Sequence, residues 1–498
     1  MPEVTFKTNP NATQVIIGDS VEVLGIDKEL AKLSKFEAKY KQSYLDLSNN
    51  KLFIGTKYEI ANKTTDPYAN LQWLEIGTVI VKALAATNVT NIELDYRIDL
   101  TLKNLEQLLL GIFQASWHYD SYLSAKSAKS KTYKIHLAST VFKPLGSAQQ
   151  KKLLQIVTAL NSAMLLTRTI VNEPPETLHP HTAAKLVIEN FKRVKNAKVN
   201  IYDEKWLSAN GMNGITFVGR GSRYQPRLVH VVLKPNDQSK TKVVLVGKGL
   251  TYDSGGLDIK VGGGMKTMKT DMAGAATMLG VMKAISQVGL DNIELHWLSA
   301  FAENMIGPNS YKSDDIIETY SGLTVEVHNT DAEGRLTLAD VLSYATTLNP
   351  DYIIDAATLT GAAIVAVSER FTALMGNDKG LTEGLLQKFE HEGEYTIHTP
   401  MPESLREVVK GDISDLINTA TIDRQAGHIS AGLFLSHFVN QNNFRNPKLK
   451  IKKPSEPAWV HLDIAGSAYN NGKNGLETKG ATGQSVRSIV AWLQDVDK

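Results

Sequence analysis

The chain has 498 residues, enough for two or more domains, with 42% hydrophobic and 21% charged residues, the balance of an ordinary soluble globular protein. It contains no cysteine, which excludes a disulfide framework and fits a reducing cytosol among other settings, and its formal net charge of +2 gives no general pull toward nucleic acid or a membrane surface. The first residues, Met1 to Thr8, lack a basic stretch followed by an apolar core, so no signal peptide is expected, and no apolar run reaches the roughly 18 residues of a spanning helix.

In chain order, residues 14–17 and 51–54 read as strands, 70–86 and 102–117 as amphipathic helices, and 92–96 and 133–137 as further strands. This alternation predicts a βαβ-type α/β domain over residues 1–147. A long helical pattern over about 148–170 predicts a connecting helix within 148–172, stopped near Asn172 by Pro174 and Pro175. Residues 173–498 then read as a second α/β domain, a central mixed sheet flanked by helices, with strands near 199–202, 214–218, 227–233, 243–247, 293–300 and 352–356. There is no internal repeat and no long low-complexity tract.

Two segments of that second domain carry the chemistry. Residues 243–256 form an apolar run ending at Gly247, with Lys248 and Asp253 at or just past its carboxyl end, where open α/β sheets place ligand crevices. Lys260 follows, then Gly262, Gly263 and Gly264, then Met265, Met268 and Asp271 ahead of a helix start. The second segment is Asn329-Thr330-Asp331-Ala332-Glu333-Gly334-Arg335-Leu336. In an extended segment residues i and i+2 share a side, so Asp331 and Glu333 are expected to aim at one point, with Arg335 continuing that face. Converging carboxylates beside a cation suggest a hard-metal site with an anion or oxyanion partner.

Lys248, Asp253, Lys260, Asp271, Asp331, Glu333 and Arg335 have the identities and spacings of the leucyl (cytosol) aminopeptidases, the two-metal M17 peptidases, which this chain resembles over roughly residues 165–490. Asn172-Glu173-Pro174-Pro175 resembles the proline-rich opening of that family's catalytic domain, and Ala357-Thr358-Leu359-Thr360-Gly361-Ala362 its substrate-pocket strand end. Trp459 to Gly466 and Lys479 to Gly483 resemble its C-terminal segments. The first 150 or so residues fit the family only in length and α/β pattern; the resemblance implies a macro-like N-terminal domain. Glu176, where an asparagine is commoner, and Gln484 and Ser485 after Gly483 depart from the pattern.

The resemblance implies a leucyl aminopeptidase with two divalent ions per subunit, held by Lys248, Asp253, Asp271, Asp331 and Glu333. Lys248 binds one metal, Asp253 and Glu333 bridge both, Asp271 serves the lysine-bound site and Asp331 the other. It further implies that Lys260 stabilises the oxyanion, that Arg335 holds a bicarbonate acting as general base, and that Met268, Thr358 and Gly361 line the pocket for an apolar first side chain. The physical chemistry is consistent with this. Four carboxylates in one dry pocket would repel, and two divalent cations would cancel their charge. Oxygen-rich ligation favours Mn²⁺ or Mg²⁺, with Zn²⁺ also allowed. A lysine ligates only as the neutral amine, a form that burial beside cations favours. Two metals roughly 3.5–4 Å apart can activate a water for attack on the scissile carbonyl. A free α-amine on one metal would restrict cleavage to N-terminal residues. The implied setting is the cytoplasm, with peptide substrates and a homohexamer, a dimer of trimers with inward-facing active sites.

Other classes fail on motifs. His391-Glu392 lacks the second histidine of a His-Glu-x-x-His helix, and Tyr252-Asp253-Ser254-Gly255-Gly256 lacks the first glycine of a nucleophile elbow. A two-metal phosphoesterase is the alternative enzyme and a DNA-binding regulator the alternative without catalysis; intact Lys260 and Arg335 argue against the latter. Two basic clusters, Lys126, Lys129, Lys131 and Lys134, and Arg445, Lys448, Lys450, Lys452 and Lys453, read as solvated loops without the interleaved aromatics of a single-strand binder, so DNA binding is not predicted.

Overall fold

The computed structural model describes residues 3–56, 67–98, 100–124, 129–137, 145–235, 240–421, 425–449, 456–472 and 478–498. The chain divides into two compact units, one comprising Met1–Ser162, Glu390–Gly393 and Asn470–Gly480, the other Ala163–Phe389, Glu394–Tyr469 and Ala481–Lys498.

The first unit is built on β1 (Glu3–Thr5), β2 (Thr13–Gly18), β3 (Ser43–Asp46), β4 (Lys51–Gly55), β5 (Asn91–Tyr96) and β6 (Lys134–Leu137), ordered β1-β6-β5-β2-β4-β3 and parallel except for β3 against β4. The helices Leu71–Leu84 and Leu102–Ser116 bear out the sequence pattern. They approach closely because Gly111 faces Leu74; a Cβ at Gly111 would lie 2.1 Å from the Leu74 carbonyl oxygen. Lys131, expected in a solvated loop, instead donates to the carbonyls of Leu84 at 3.1 Å, Ala85 at 2.7 Å and Thr87 at 2.6 Å. It closes the C-terminal end of a helix, where a cation meets unpaired carbonyls and the negative pole of the dipole. Lys126, Lys450, Lys452 and Lys453 lie outside the described residues.

The second unit holds β7 (Ala197–Tyr202), β8 (Arg227–Leu233), β9 (Thr241–Gly247), β10 (Gly249–Asp253), β11 (Ile293–Asn304), β12 (Ile316–Glu318), β13 (Thr324–Glu326), β14 (Tyr352–Ala357), β15 (Thr372–Gly376), β16 (Thr396–His398), β17 (Leu416–Ile417) and β18 (Ala458–Asp463). Nine of these form one mixed sheet, ordered β16-β15-β18-β14-β9-β11-β8-β7 with β10 added along β11; β12, β13 and β17 form a small sheet of their own. The central strands β18, β14, β9 and β11 run parallel, and β8 and β15 flank them antiparallel. Val243 to Val246 are fully buried, the continuous apolar run of a strand covered on both faces. Because β9, β14 and β18 are parallel, Lys248, Thr358 and the end of β18 at Asp463 all emerge at one edge of the sheet.

The structure corrects two local readings. Residues 214–218, expected as a strand, lie in the helix Asn213–Gly219. Its free N-terminal donors are met from far along the chain: Asp340 Oδ2 accepts from the Ile215 N–H at 3.0 Å, and Gly214 packs against the Leu336 carbonyl. The helix Ser147–Asn172 covers the expected helical stretch, but its 26 residues include an 18-residue window with a mean hydropathy of 1.3, long and apolar enough to match a membrane span by length and composition. More than half of that window is buried within the protein, and buried Arg168 donates from Nε to the Ala481 carbonyl at 3.0 Å, both features of a core helix.

His230 on β8 and His296 on β11 meet at 2.8 Å, and His296 meets Glu294 at 2.8 Å. Burial, reinforced by the charge of His296, drives the His230 pKa down to about 3. A folded-state pKa below the unfolded value means that this histidine's contribution is complete above about pH 6.5 and is lost as pH falls toward 3. His230→Gln should therefore flatten the acid-side decline of the melting temperature between pH 6 and pH 4 by a few degrees, since one kcal/mol moves the midpoint of a domain this size by about 2–4 °C. A decline as steep as in the native protein would rule the assignment out.

Candidate active site

The sheet edge at which Lys248 emerges gathers the acids around it. The β9 strand ends at Gly247, and β10 continues along β11 from Gly249, so Lys248 sits at the break between two strands. Its N–H donates to the Ala356 carbonyl at 3.0 Å and its carbonyl accepts from the Ala275 N–H at 2.8 Å, tying the break to β14 and to the helix Ala273–Val288. The ammonium lies 2.8 Å from Asp271 Oδ1, 3.0 Å from Glu333 Oε1 and 2.9 Å from the Thr358 carbonyl. Asp271 comes from the short 3-10 turn Met268–Met272, and Thr358 from the residue after β14. That turn is preceded by Thr267 with φ of 76°, a left-handed conformation that a β-branched residue adopts only when its surroundings hold it.

A second lysine balances the other side. Lys260 Nζ is 2.8 Å from Asp253 Oδ2 and forms a shorter ion pair with Asp331. Asp253 Oδ1 accepts from the Gly255 N–H at 2.8 Å and from Asn304 Nδ2 at 2.9 Å. Oxygens of Asp253, Asp271 and Glu333 lie within 4.8 Å of one another, and all three side chains are buried. Asp331, about one-third exposed (31%), stands outside that tight group and joins it through Lys260.

The segment carrying Asp331 and Glu333 is not extended. Asp331 lies in a turn and Glu333 is the first residue of the helix Glu333–Thr347. The two acids converge because a turn delivers one and a helix start the other. Arg335 lies two residues further along that helix, about 200° around its axis from Glu333, so shared strand facing does not place it; Glu333 and Asp463 nonetheless act on its charge. Its side chain is buried and its Nε has no hydrogen-bond partner among the described residues. Burial lowers its pKa to about 10, opposed by Glu333 and Asp463, so the guanidinium is charged at neutral pH.

The charges do not balance. Four carboxylates face two ammonium groups. Burial, then repulsion from Glu333 and Asp253, raises the Asp271 pKa well above its ordinary value against the pull of Lys248, and burial and Asp253 raise that of Glu333. Asp331 is raised to about 6, first by burial and then by Asp253 and Glu333, with Lys260 opposing. Burial pulls the Lys248 pKa down, but Asp271, Glu333 and Asp253 outweigh it and favour the charged ammonium; the same contest, led by Asp253, favours the charged form of Lys260. Asp271 Oδ2 and Glu333 Oε2 are buried without a hydrogen-bond partner among the described residues. A buried anion left unpaired is costly, and unpaired oxygens a few ångströms apart, beside a net negative cluster, suit divalent cations with hard oxygen ligands.

A supporting layer escaped the sequence reading. Asn304 also donates from Nδ2 to the Thr330 carbonyl at 3.0 Å, where Tyr311 OH donates at 2.6 Å. Asp258 Oδ2 accepts from the Thr330 N–H at 2.6 Å, and Asn418 Nδ2 donates to the Asn329 carbonyl at 2.6 Å. Asp463 Oδ2 accepts from Thr360 Oγ1 at 2.8 Å and its Oδ1 from the Leu359 N–H at 3.2 Å, fixing the loop that precedes Gly361. Of these, Asn304 closes a buried strand and Asp463 lies in the Trp459–Gly466 segment, both readable signals; Asp258, Tyr311 and Asn418 are scattered singly. Met268 lies three residues from Asp271 on the same turn, Thr358 Oγ1 donates to Asp271 Oδ1 at 2.9 Å, and Gly361 opens a short helix with free space where a Cβ would stand.

Residues 165–490 match the model of the cytosol aminopeptidase family catalytic domain. A probable cytosol aminopeptidase of Campylobacter jejuni is 37% identical over 479 residues, covering 95% of this chain and 93% of that protein. The chain belongs to the cytosol aminopeptidase family. Among solved structures, the cytosol aminopeptidase from Coxiella burnetii matches with a TM-score of 0.80 at 27% identity over 99% of both chains. The bottromycin maturation enzyme BotP in complex with Mn matches with a TM-score of 0.82 at 27% identity, over 98% of this chain and 100% of that one. The enzyme is accordingly a metal-dependent aminopeptidase of the M17 family with the two-domain α/β fold.

Gly334 is where backbone and cage meet. A Cβ there would lie 2.4 Å from Lys248 Cε and 2.6 Å from Nζ, and Lys248, pinned by three partners, cannot yield. Gly334→Ala should leave the fold intact by circular dichroism and reduce kcat/KM about 100-fold, the scale of a misplacement near 1 Å. Native activity in that variant would show the close approach to be irrelevant.

Proposed function

We propose that this aminopeptidase is a leucyl aminopeptidase, releasing leucine and other apolar residues from the free N-termini of peptides during intracellular peptide turnover. One observation carries the reading: Asp271 Oδ2 and Glu333 Oε2 are buried and, among the described residues, unpartnered beside Asp253, with lysines on either side. Asp253, Asp271, Asp331 and Glu333, with Lys248 as the neutral amine once a cation displaces its ammonium proton, would hold two divalent ions, Mn²⁺ or Zn²⁺, with Mg²⁺ also suited to the oxygen donors. When bound, the ions supply Lewis-acid activation of a water and of the scissile carbonyl, and compensate the excess negative charge.

The protein's own groups do the rest. Asp253 is oriented by Gly255 and Asn304, so its second oxygen is aimed before any ligand arrives. Lys260, kept charged by Asp253, donates a hydrogen bond to the oxyanion that develops on the former carbonyl oxygen. Arg335, charged and with Nε unpartnered among the described residues, holds a small planar anion of the bicarbonate type, which accepts the proton of the attacking water. Met268, Thr358 and Gly361 bound the pocket for the first side chain; the adaptable methionine and the open space at Gly361 support broad apolar tolerance. The working form is a cytoplasmic homohexamer, a dimer of trimers.

The test is hydrolysis of leucine p-nitroanilide by metal-stripped protein with Mn²⁺, Zn²⁺ or Mg²⁺ restored. Activity should require metal, vanish on the N-acetylated substrate, and fall at least about 1,000-fold in Glu333→Ala. Leucine should exceed aspartate at the first position by about tenfold or more in kcat/KM. Well-folded, metal-loaded protein that ignores a panel of free-amine substrates would end the leucyl assignment. Lys260→Ala should lower kcat by about 100-fold or more with little change in KM, as for loss of an oxyanion donor; a change confined to KM would remove Lys260 from the chemistry.

A further inference from the structure

A second cavity of about 700 Å³ lies against β10 and β11, lined by Tyr252 and Glu303 among others and by none of the cage residues. The strand register pairs Tyr252 with Glu303 and Asp253 with Asn304. Successive residues of a strand face opposite sides, so Asp253 and Asn304 serve the cage while Tyr252 and Glu303 face away from it. The volume is that of a small-molecule site.

Its chemistry is specific. On the floor, Glu303 is 7% exposed and accepts from Ser222 Oγ at 2.5 Å. Burial raises its pKa, with Glu176 adding and Ser222 and Arg223 opposing, so the site gains from a cation that would stabilise the ionised carboxylate. Arg220 lies over the Phe217 ring at 3.9 Å; its Nη2 is 3.6 Å from Asp315, while its buried Nε has no partner among the described residues. At the rim, Arg223 pairs with Glu176 at 2.6 Å and lies over Tyr224, whose ring stacks on His179 at 3.7 Å. Met305 and Ile306 add an apolar wall, and Ile306 is half exposed (50%), a cost that an occupant would relieve. Glu176, which departs from the family's usual asparagine, stands at this mouth and not at the metal cage.

A buried carboxylate, a guanidinium with a free donor and an apolar wall within one cavity are complementary to a molecule carrying an α-ammonium, an α-carboxylate and an apolar side chain. We propose that this cavity is a second binding site for such zwitterions, free apolar amino acids or dipeptides, with the ammonium on Glu303, the carboxylate on Arg220 and the side chain against Met305 and Ile306. The choice rests on the chemistry of the cavity and stands independently of the leucyl assignment at the cage.

The test is calorimetric titration of L-leucine into the full-length, metal-loaded enzyme. The native protein should show two classes of site per chain. Glu303→Gln and Arg220→Met should each lose one class, or weaken it about tenfold or more, while still hydrolysing leucine p-nitroanilide. Glu333→Ala, disabled at the cage, should retain that class; titrating L-leucine and L-leucyl-L-leucine into it decides between amino acid and dipeptide. In the same variant, 3-methylbutylamine and N-acetyl-leucine, each missing one charge, should bind at least about tenfold more weakly. A single class in the native enzyme that Glu333→Ala abolishes, two classes unchanged in Glu303→Gln, or equal binding of the singly charged analogues would each overturn the proposal.

Discussion

Everything at the working edge of this protein depends on one electrostatic constraint: four carboxylates must coexist in a largely buried pocket. Two internal ammonium groups answer half of that charge, Lys248 between Asp271 and Glu333 and Lys260 between Asp253 and Asp331. The remainder is visible as raised carboxylate pKa values and as two buried oxygens without partners among the described residues. Such an arrangement is unfavourable for folding taken alone, and the buried apolar sheet around it supplies the offsetting stability. Proteins tolerate local electrostatic strain of this kind at functional sites.

The rest of the fold reads as support for that cluster. The parallel run β18, β14, β9 and β11 sends strand ends to one edge, so residues more than 200 positions apart in sequence emerge side by side. Backbone approach there is too close for side chains, which is why glycine stands at Gly334 against Lys248. Asn304, Asp258, Tyr311 and Asn418 hold the loops that carry Asp253 and Asp331, and Asp463 holds the loop after Thr358. The acids are therefore aimed by a hydrogen-bonded layer that fixes geometry in advance, as preorganised catalysis requires. The same two strands, β10 and β11, present Tyr252 and Glu303 on their other side, so the cage and the second cavity share one thin wall.

The sequence by itself determined the elements whose signals are local. The apolar run 243–247, the helices Leu71–Leu84 and Leu102–Ser116, the long helix ending at Asn172, and the family motifs around Lys248 and Asp331 all rest on periodicity or short spacing, which a chain carries without folding. Tertiary structure decided the remainder, because its causes are contacts between distant residues. Residues 214–218 contain the apolar, β-branched composition of a strand, yet Asp340, more than 120 positions away, caps them as a helix. Spacing suggested that Asp331 and Glu333 converge along an extended backbone, whereas a turn and a helix start bring them together. Lys131 looked like one charge in a basic loop until three carbonyls of a helix end claimed it. No local pattern encodes which lysine pairs with which acid, or that Glu303 and Arg220 line one cavity, since charge pairing and enclosure exist only once the sheet has brought the strands together.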